Sequence, residues 1–219
     1  MRVLHATLIV ITCYLSLGCT QASEDPSPTI AATSALTPTP APSQQHLCPR
    51  DHSMPTGFRM SRYRGPTPHC APYSTTLDTK ALQALLKKSP DLTLIDVSGI
   101  QRDPEMDFGG IWFPSEKRNH IQGSVWLPNV GRGELSALIE RYFQYNLQQL
   151  TQGQPDKELV FYCIADCWMS WNAAIRAASY GYQQVYWYKN GTDGWSEQGL
   201  PLVRATPLPV ILPAEATIP

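Results

Sequence analysis

The chain has 219 residues, a net charge of −1 from 17 basic and 18 acidic side chains, and 20 prolines. That length suggests one domain with extensions. The near-neutral balance offers no basic stripe, so no nucleic-acid partner is expected.

The N-terminus reads as an export signal, residues 1–22. Arg2 supplies a small positive start, and Leu4 to Leu17 is mostly apolar, interrupted by His5. The run is short for a membrane span and suits the apolar region of a signal. Leu15-Ser16-Leu17-Gly18 ahead of Cys19 resembles a bacterial lipoprotein processing site, with Ser16 where that pattern usually has Leu. Ordinary cleavage after Ala22 and a retained anchor are the other readings. Lipid on Cys19 would tether the protein to a membrane and take no part in chemistry. The expected location is the periplasm of a Gram-negative bacterium.

Residues 23–55 are rich in Pro, Ser and Thr and poor in large apolar groups, so they form a linker. About 25 flexible residues reach roughly 25–30 Å, enough to hold a domain off a membrane. Within or after this stretch, Cys48 and Cys70 either form a structural disulfide or stay as two thiols; spacing does not decide.

The folded domain is expected over 56–206. Leu77 to Lys88 carries Leu77, Ala81, Leu82, Leu85 and Leu86 at helical spacing. Leu92 to Val97 predicts a buried strand, and Gly123 to Leu127 a second. Glu134 to Leu150 is the clearest helix, with Leu135, Leu138, Ile139, Tyr142, Phe143, Leu147 and Leu150 on one face. Leu159 to Tyr162 is a third strand that ends at Cys163. Ser170 to Tyr180 is an Ala-rich helix with Ser170 as its expected N-cap. Gln184 to Tyr188 is a fourth strand, and 207–219 reads as a Pro-rich tail. Strands separated by helices imply an α/β fold with a mostly parallel central sheet flanked by helices. Ligands of such sheets sit at the carboxyl ends of strands, where Cys163 falls.

Cys163 and Cys167 are the candidate catalytic residues. A loop between strand and helix aims backbone N–H groups inward, and the helix terminus adds positive potential. Both favour a thiolate. Asp166, Trp168, Ser170 and Asp96 are the supporting candidates, Asp96 as a hydrogen-bonding partner of the loop backbone. Trp168 and Trp171 are read either as packing or as an aromatic surface for a ligand or partner, Trp187 as core. No cofactor is expected. A metal would need more than two thiolates, and His46, His52, His69 and His120 are scattered.

The strand-Cys-loop-helix segment resembles the active-site loop of rhodanese-like domains. Leu94-Ile95-Asp96-Val97, His120-Ile121-Gln122-Gly123, and Val185-Tyr186-Trp187-Tyr188 with Gly199-Leu200-Pro201-Leu202 are similar to other segments of that family, in its order. A narrower resemblance rests on Gly57-Phe58-Arg59-Met60, Tyr63-Arg64-Gly65-Pro66-Thr67-Pro68, Trp126 to Gly131, Cys167-Trp168-Met169-Ser170-Trp171-Asn172-Ala173-Ala174 and Gly191 to Trp195. These look like the PQQ-dependent catabolism-associated CXXCW motif proteins, whose genes lie beside periplasmic quinoprotein alcohol dehydrogenases. That name quotes two residues between the cysteines; here Ile164, Ala165 and Asp166 make three.

The resemblance implies sulfur transfer or thiol–disulfide chemistry, with Cys163 as acceptor and Cys167 as its partner. A quinoprotein dehydrogenase system is the implied partner. Two departures weaken thiosulfate turnover. Active rhodaneses close the loop with an Arg, where this chain has Trp168 or Met169, and Ser98 replaces their Arg after the first strand. Arg176 comes too late, and Asp166 adds negative charge beside the expected anion site. An inactive rhodanese fold serving as a binding module is the competing reading.

Overall fold

The computed structural model describes residues 48, 56–101, 111–114 and 116–211. The signal at 1–22 with Cys19, the linker up to residue 47, and residues 212–219 lie outside the described residues.

In chain order the elements are β1 (Thr75–Leu77), α1 (Thr79–Lys88), β2 (Thr93–Asp96), β3 (Asn119–Ile121), β4 (Val125–Trp126) and α2 (Ala137–Thr151). There follow β5 (Leu159–Tyr162), α3 (Trp168–Ser179), β6 (Val185–Tyr188), α4 (Gly191–Glu197) and β7 (Leu202–Arg204). The main sheet has the order β1-β6-β5-β2-β4, and every pairing in it is parallel. This is the α/β architecture expected from the sequence. β3 and β7 form a separate antiparallel pair.

β5 shows why the sheet is buried on both faces. Its residues Leu-Val-Phe-Tyr are all inaccessible, as a central parallel strand requires. Leu159 and Phe161 join the core formed with α2 and α3, whereas Val160 and Tyr162 join the core beside Leu82 of α1 and Trp195 of α4. Phe161 meets Phe143 edge to face at 5.9 Å. Truncating such a buried ring to Ala costs about 3–5 kcal/mol.

Several boundaries differ from those expected. Leu77 belongs to β1 and not to the first helix, because the Asp78 carboxylate accepts from the Ala81 N–H at 2.7 Å and starts α1 at Thr79, two residues later than expected. The clearest predicted helix appears as α2, capped by Ser136. The residues after 206 are not simply tail. The Leu208 N–H reaches Trp126 O at 2.9 Å, Tyr142 donates to Leu208 O at 2.8 Å, and Val210 is buried. Two apolar side chains between prolines cover the edge strand and α2. Of the stretch expected as linker, 23–55, only Cys48 is among the described residues, and it is bonded to Cys70 across a Cα separation of 5.5 Å.

Register brings the site together. Asp96 pairs with Tyr162, and Val97 N–H donates to Tyr162 O at 2.9 Å. The carboxyl ends of β2 and β5 therefore stop level, with Ser98 and Cys163 side by side.

Candidate functional site

Cys163 is the first residue beyond β5, and Cys167 is the N-cap of α3. Asp166 between them adopts φ +51°, the left-handed conformation that Asp tolerates better than most residues. That turn brings the chain back toward the cleft. Cys163 O accepts from Thr192 N–H at 3.0 Å, Ala165 N–H donates to Asp193 at 3.2 Å, and Gly191 packs directly on the Cys163–Ile164 backbone.

A second support comes from residues 56–71, an N-terminal strap. Arg64 and Cys167 form an antiparallel bridge, with Gly65 N–H to Asp166 O at 2.9 Å and Trp168 N–H to Tyr63 O at 2.8 Å. Asn172 fastens the strap to α3 by accepting from Arg59 N–H and donating to Arg59 O, both at 2.9 Å.

Both cysteines are free thiols and line a cleft of about 500 Å³. Ser98, Arg64, Lys117 and Arg118 line it as well. Ser98 Oγ lies 3.2 Å from Cys163 Sγ. Asp96, fully buried, accepts from Ser98 N–H and holds Arg118, and Arg118 Nη2 reaches Cys163 O at 3.3 Å.

The two thiols are unequal. Burial pushes the Cys163 thiol well up, and the neighbouring Cys167 and the Asp96 charge push the same way, against the Ser98 hydroxyl. Cys167 is held below the ordinary thiol range by the hydrogen bond from Cys163, against its own burial, and by the amides of Met169, Ser170 and Ile164. Its sulfur makes no fully aligned cap hydrogen bond, so these amides act on it as dipoles.

The rhodanese-like domain model matches residues 78–198. The chain belongs to the rhodanese-like domain family. Among solved structures, the polysulfide-sulfur transferase homodimer from Wolinella succinogenes is 23% identical, with 60% of this chain and 79% of that chain covered and a TM-score of 0.38. The thiosulfate sulfurtransferase from Pseudomonas aeruginosa is 17% identical over 62% of this chain and 21% of its own, with a TM-score of 0.41. The human single-domain sulfurtransferase is 22% identical over 56% and 96%, with a TM-score of 0.35. No curated protein matches.

Against this rhodanese-like frame, the structure redistributes the supporting residues. Asp96 does not bond the backbone of the Cys loop directly; Arg118 relays it there. Ser170 is not the N-cap of α3, because the helix starts two residues earlier than expected. Its hydroxyl instead donates to Cys167 O and accepts from Trp187 Nε1, each at 3.0 Å. Asp166 is exposed and does not line the cleft, so its charge does not stand at the expected anion site. Trp168 and Trp171 are buried, neither lines the cleft, and the Arg59 guanidinium lies over Trp168 at 5.2 Å. Their reading as a ligand surface gives way to packing beneath the strap. Arg176 is structural, donating to Val130 O and Gly133 O.

Arg118, Lys117 and Arg64 were not legible as site residues. The basic pair just before His120 was the available signal, and nothing in its spacing tied it to Asp96.

Proposed function

We propose that the Cys163–Cys167 loop handles sulfur, by sulfur transfer or thiol–disulfide exchange, in an exported protein associated with periplasmic PQQ-dependent alcohol oxidation. One observation carries the chemistry: two neighbouring thiols at a strand end open into a cleft also lined by Lys117 and Arg64, with Glu116 as its one carboxylate among the described residues and Arg118 held by Asp96. Lys117 and Arg64 at the cleft wall suit anionic sulfur species without the family's loop Arg. A thiolate of the pair attacks the outer sulfur of thiosulfate, the S–S bond breaks, and sulfite leaves. The second thiol then attacks the persulfide, leaving an internal disulfide and hydrosulfide.

The Cys48–Cys70 disulfide supports export, since such bonds persist in oxidising compartments. The narrower PQQ-associated reading is supported by contacts among the segments that carry that resemblance. Arg59 binds Asn172, Tyr63 binds Trp168, and Gly131 O accepts from Asn172 at 2.9 Å. Those segments build one strap-and-loop unit around the thiols.

The test is intact mass with peptide mapping, after thiosulfate and after a mild oxidant. Gain of a sulfur on the pair, or loss of two hydrogens across it, supports the reading. If both thiols stay unmodified, the chemistry falls and the binding-module reading replaces it. Burial of Cys163, 3% exposed, favours that second reading. Co-purification of a quinoprotein dehydrogenase or cytochrome with the full chain would support it.

A further inference from the structure

We infer that Cys167, and not the strand-end Cys163, is the thiol that attacks, and that Cys163 resolves the bond Cys167 forms. The inference rests on the thiol chemistry proposed above and fixes its order, the reverse of the order that the sequence implies.

The geometry of α3 carries it. Cys167 holds the N-cap position with φ −114° and ψ 112°, the extended backbone from which a cap side chain faces the first-turn amides. Trp168 N–H is spent on Tyr63 O. The amides of Met169 and Ser170, the usual cap donors, make no formed cap hydrogen bond to the sulfur and act on it as dipoles, with Ile164 N–H adding to them from the loop. α3 is 12 residues long, so its full terminal dipole acts here. Cys163 has the opposite surroundings. It is buried at the end of β5 beside Asp96, and its neighbours are the Cys167 sulfur and the Ser98 hydroxyl. Its backbone is fixed by Arg118 and Thr192. A thiol so placed stays protonated and donates to its neighbour, which is the arrangement of a resolving cysteine.

The other charges around the pair do not reverse this. Arg118 is neutralised by Asp96. Arg64 and Lys117 line the cleft with Glu116. Asp193 on α4 is 3.8 Å from Arg64, and Asp166 is exposed.

With an organic disulfide as co-reactant the steps balance. The Cys167 thiolate attacks one sulfur, the substrate S–S bond breaks, and one thiolate leaves. The Cys163 thiol passes its proton to that departing thiolate and attacks Cys167 Sγ. The second thiolate leaves, the protein pair is oxidised by two electrons, and the substrate is reduced by two.

Glutathione disulfide is the probe, used on the full chain with peptide mapping. Cys163→Ser should hold a stable glutathione adduct on Cys167. Cys167→Ser should stay unmodified over the same time, and the native chain should end with an internal disulfide. Alkylation of the native chain by iodoacetamide gives a second readout that needs no variant. At pH 7 Cys167 should react at least about tenfold faster than Cys163. A stable adduct on Cys163 in Cys167→Ser, with Cys163→Ser unmodified, or faster alkylation of Cys163, overturns the assigned order and leaves the thiol chemistry standing. Inert thiols in all three proteins overturn both.

Discussion

Arg118 grips Asp96 through two parallel hydrogen bonds, Nε to Oδ2 at 2.7 Å and Nη2 to Oδ1 at 3.0 Å. Asp96 is fully buried, and Arg118 is part-buried at the wall of the cleft. Removing the Arg leaves a buried carboxylate without its counter-charge. Arg118→Ala should therefore lower stability by about 3–5 kcal/mol, read as a lower urea midpoint. Arg118→Lys keeps the charge but loses the fork, so it should fall between. Asp96→Asn placed in the Arg118→Ala background should recover part of the loss. An additive double variant would mean that the two side chains act independently.

Gly191 stands where both backbone and space exclude a side chain. Its φ is +58°, and an added Cβ would come within 2.5–2.7 Å of the Ile164 and Cys163 backbone. Gly191→Ala combines left-handed strain with overpacking, about 2–4 kcal/mol together. It should also displace the Cys loop. The expected outcome is a lower unfolding midpoint together with a changed alkylation rate at Cys163 and Cys167. A variant as stable as the native chain would show that the loop yields without cost.

These two supports mark where the sequence stopped being legible. β5 and Cys163 were readable because four apolar residues ran into a cysteine, and α2 because its apolar face spans four turns. β1 has three residues, too few for a periodicity, and Leu77 fitted the helix that follows. The start of α3 was misread because Ser170 is a common cap residue and Cys167 is not; only the tertiary turn at Asp166 reveals the sulfur over the first-turn amides. Arg118 lies 22 residues from Asp96, and no local rule pairs them. The cleft's charge depends on the strap and on the segment before β3, both outside the strand-Cys-helix motif.

The Cys48–Cys70 bond is made at the C-terminal end of the strap, where Trp171 Nε1 donates to Cys70 O at 3.0 Å. The bond closes a loop with a sequence separation of 22 residues. Loop-closure entropy assigns such a link about 3 kcal/mol. Cys48→Ser with Cys70→Ser should lower the urea midpoint accordingly. It should also speed proteolysis within 56–71 ahead of the sheet. Strap cleavage no faster than in the native chain would mean that Asn172 and Tyr63 hold the strap by themselves.

His120 should make the fold sensitive to acid. It is buried in β3, and its Nδ1 finds no hydrogen-bond partner among the described residues. Burial lowers its pKa below the ordinary 6.5; Asp96 opposes this and Arg118 adds to it. The unfolded histidine takes up its proton near 6.5 and the folded one only at lower pH. Between those two values the unfolded state binds more protons, so stability rises with pH across that window. The contribution is complete above about pH 6.5 and is lost as pH falls from there toward the folded value. The urea midpoint should therefore drop between pH 7 and 5.5. His120→Gln, neutral throughout, should flatten that part of the profile, and the difference between the two curves isolates His120 from the cysteines, whose titrations depend on sulfur. Parallel curves would assign the acid sensitivity to the carboxylates instead.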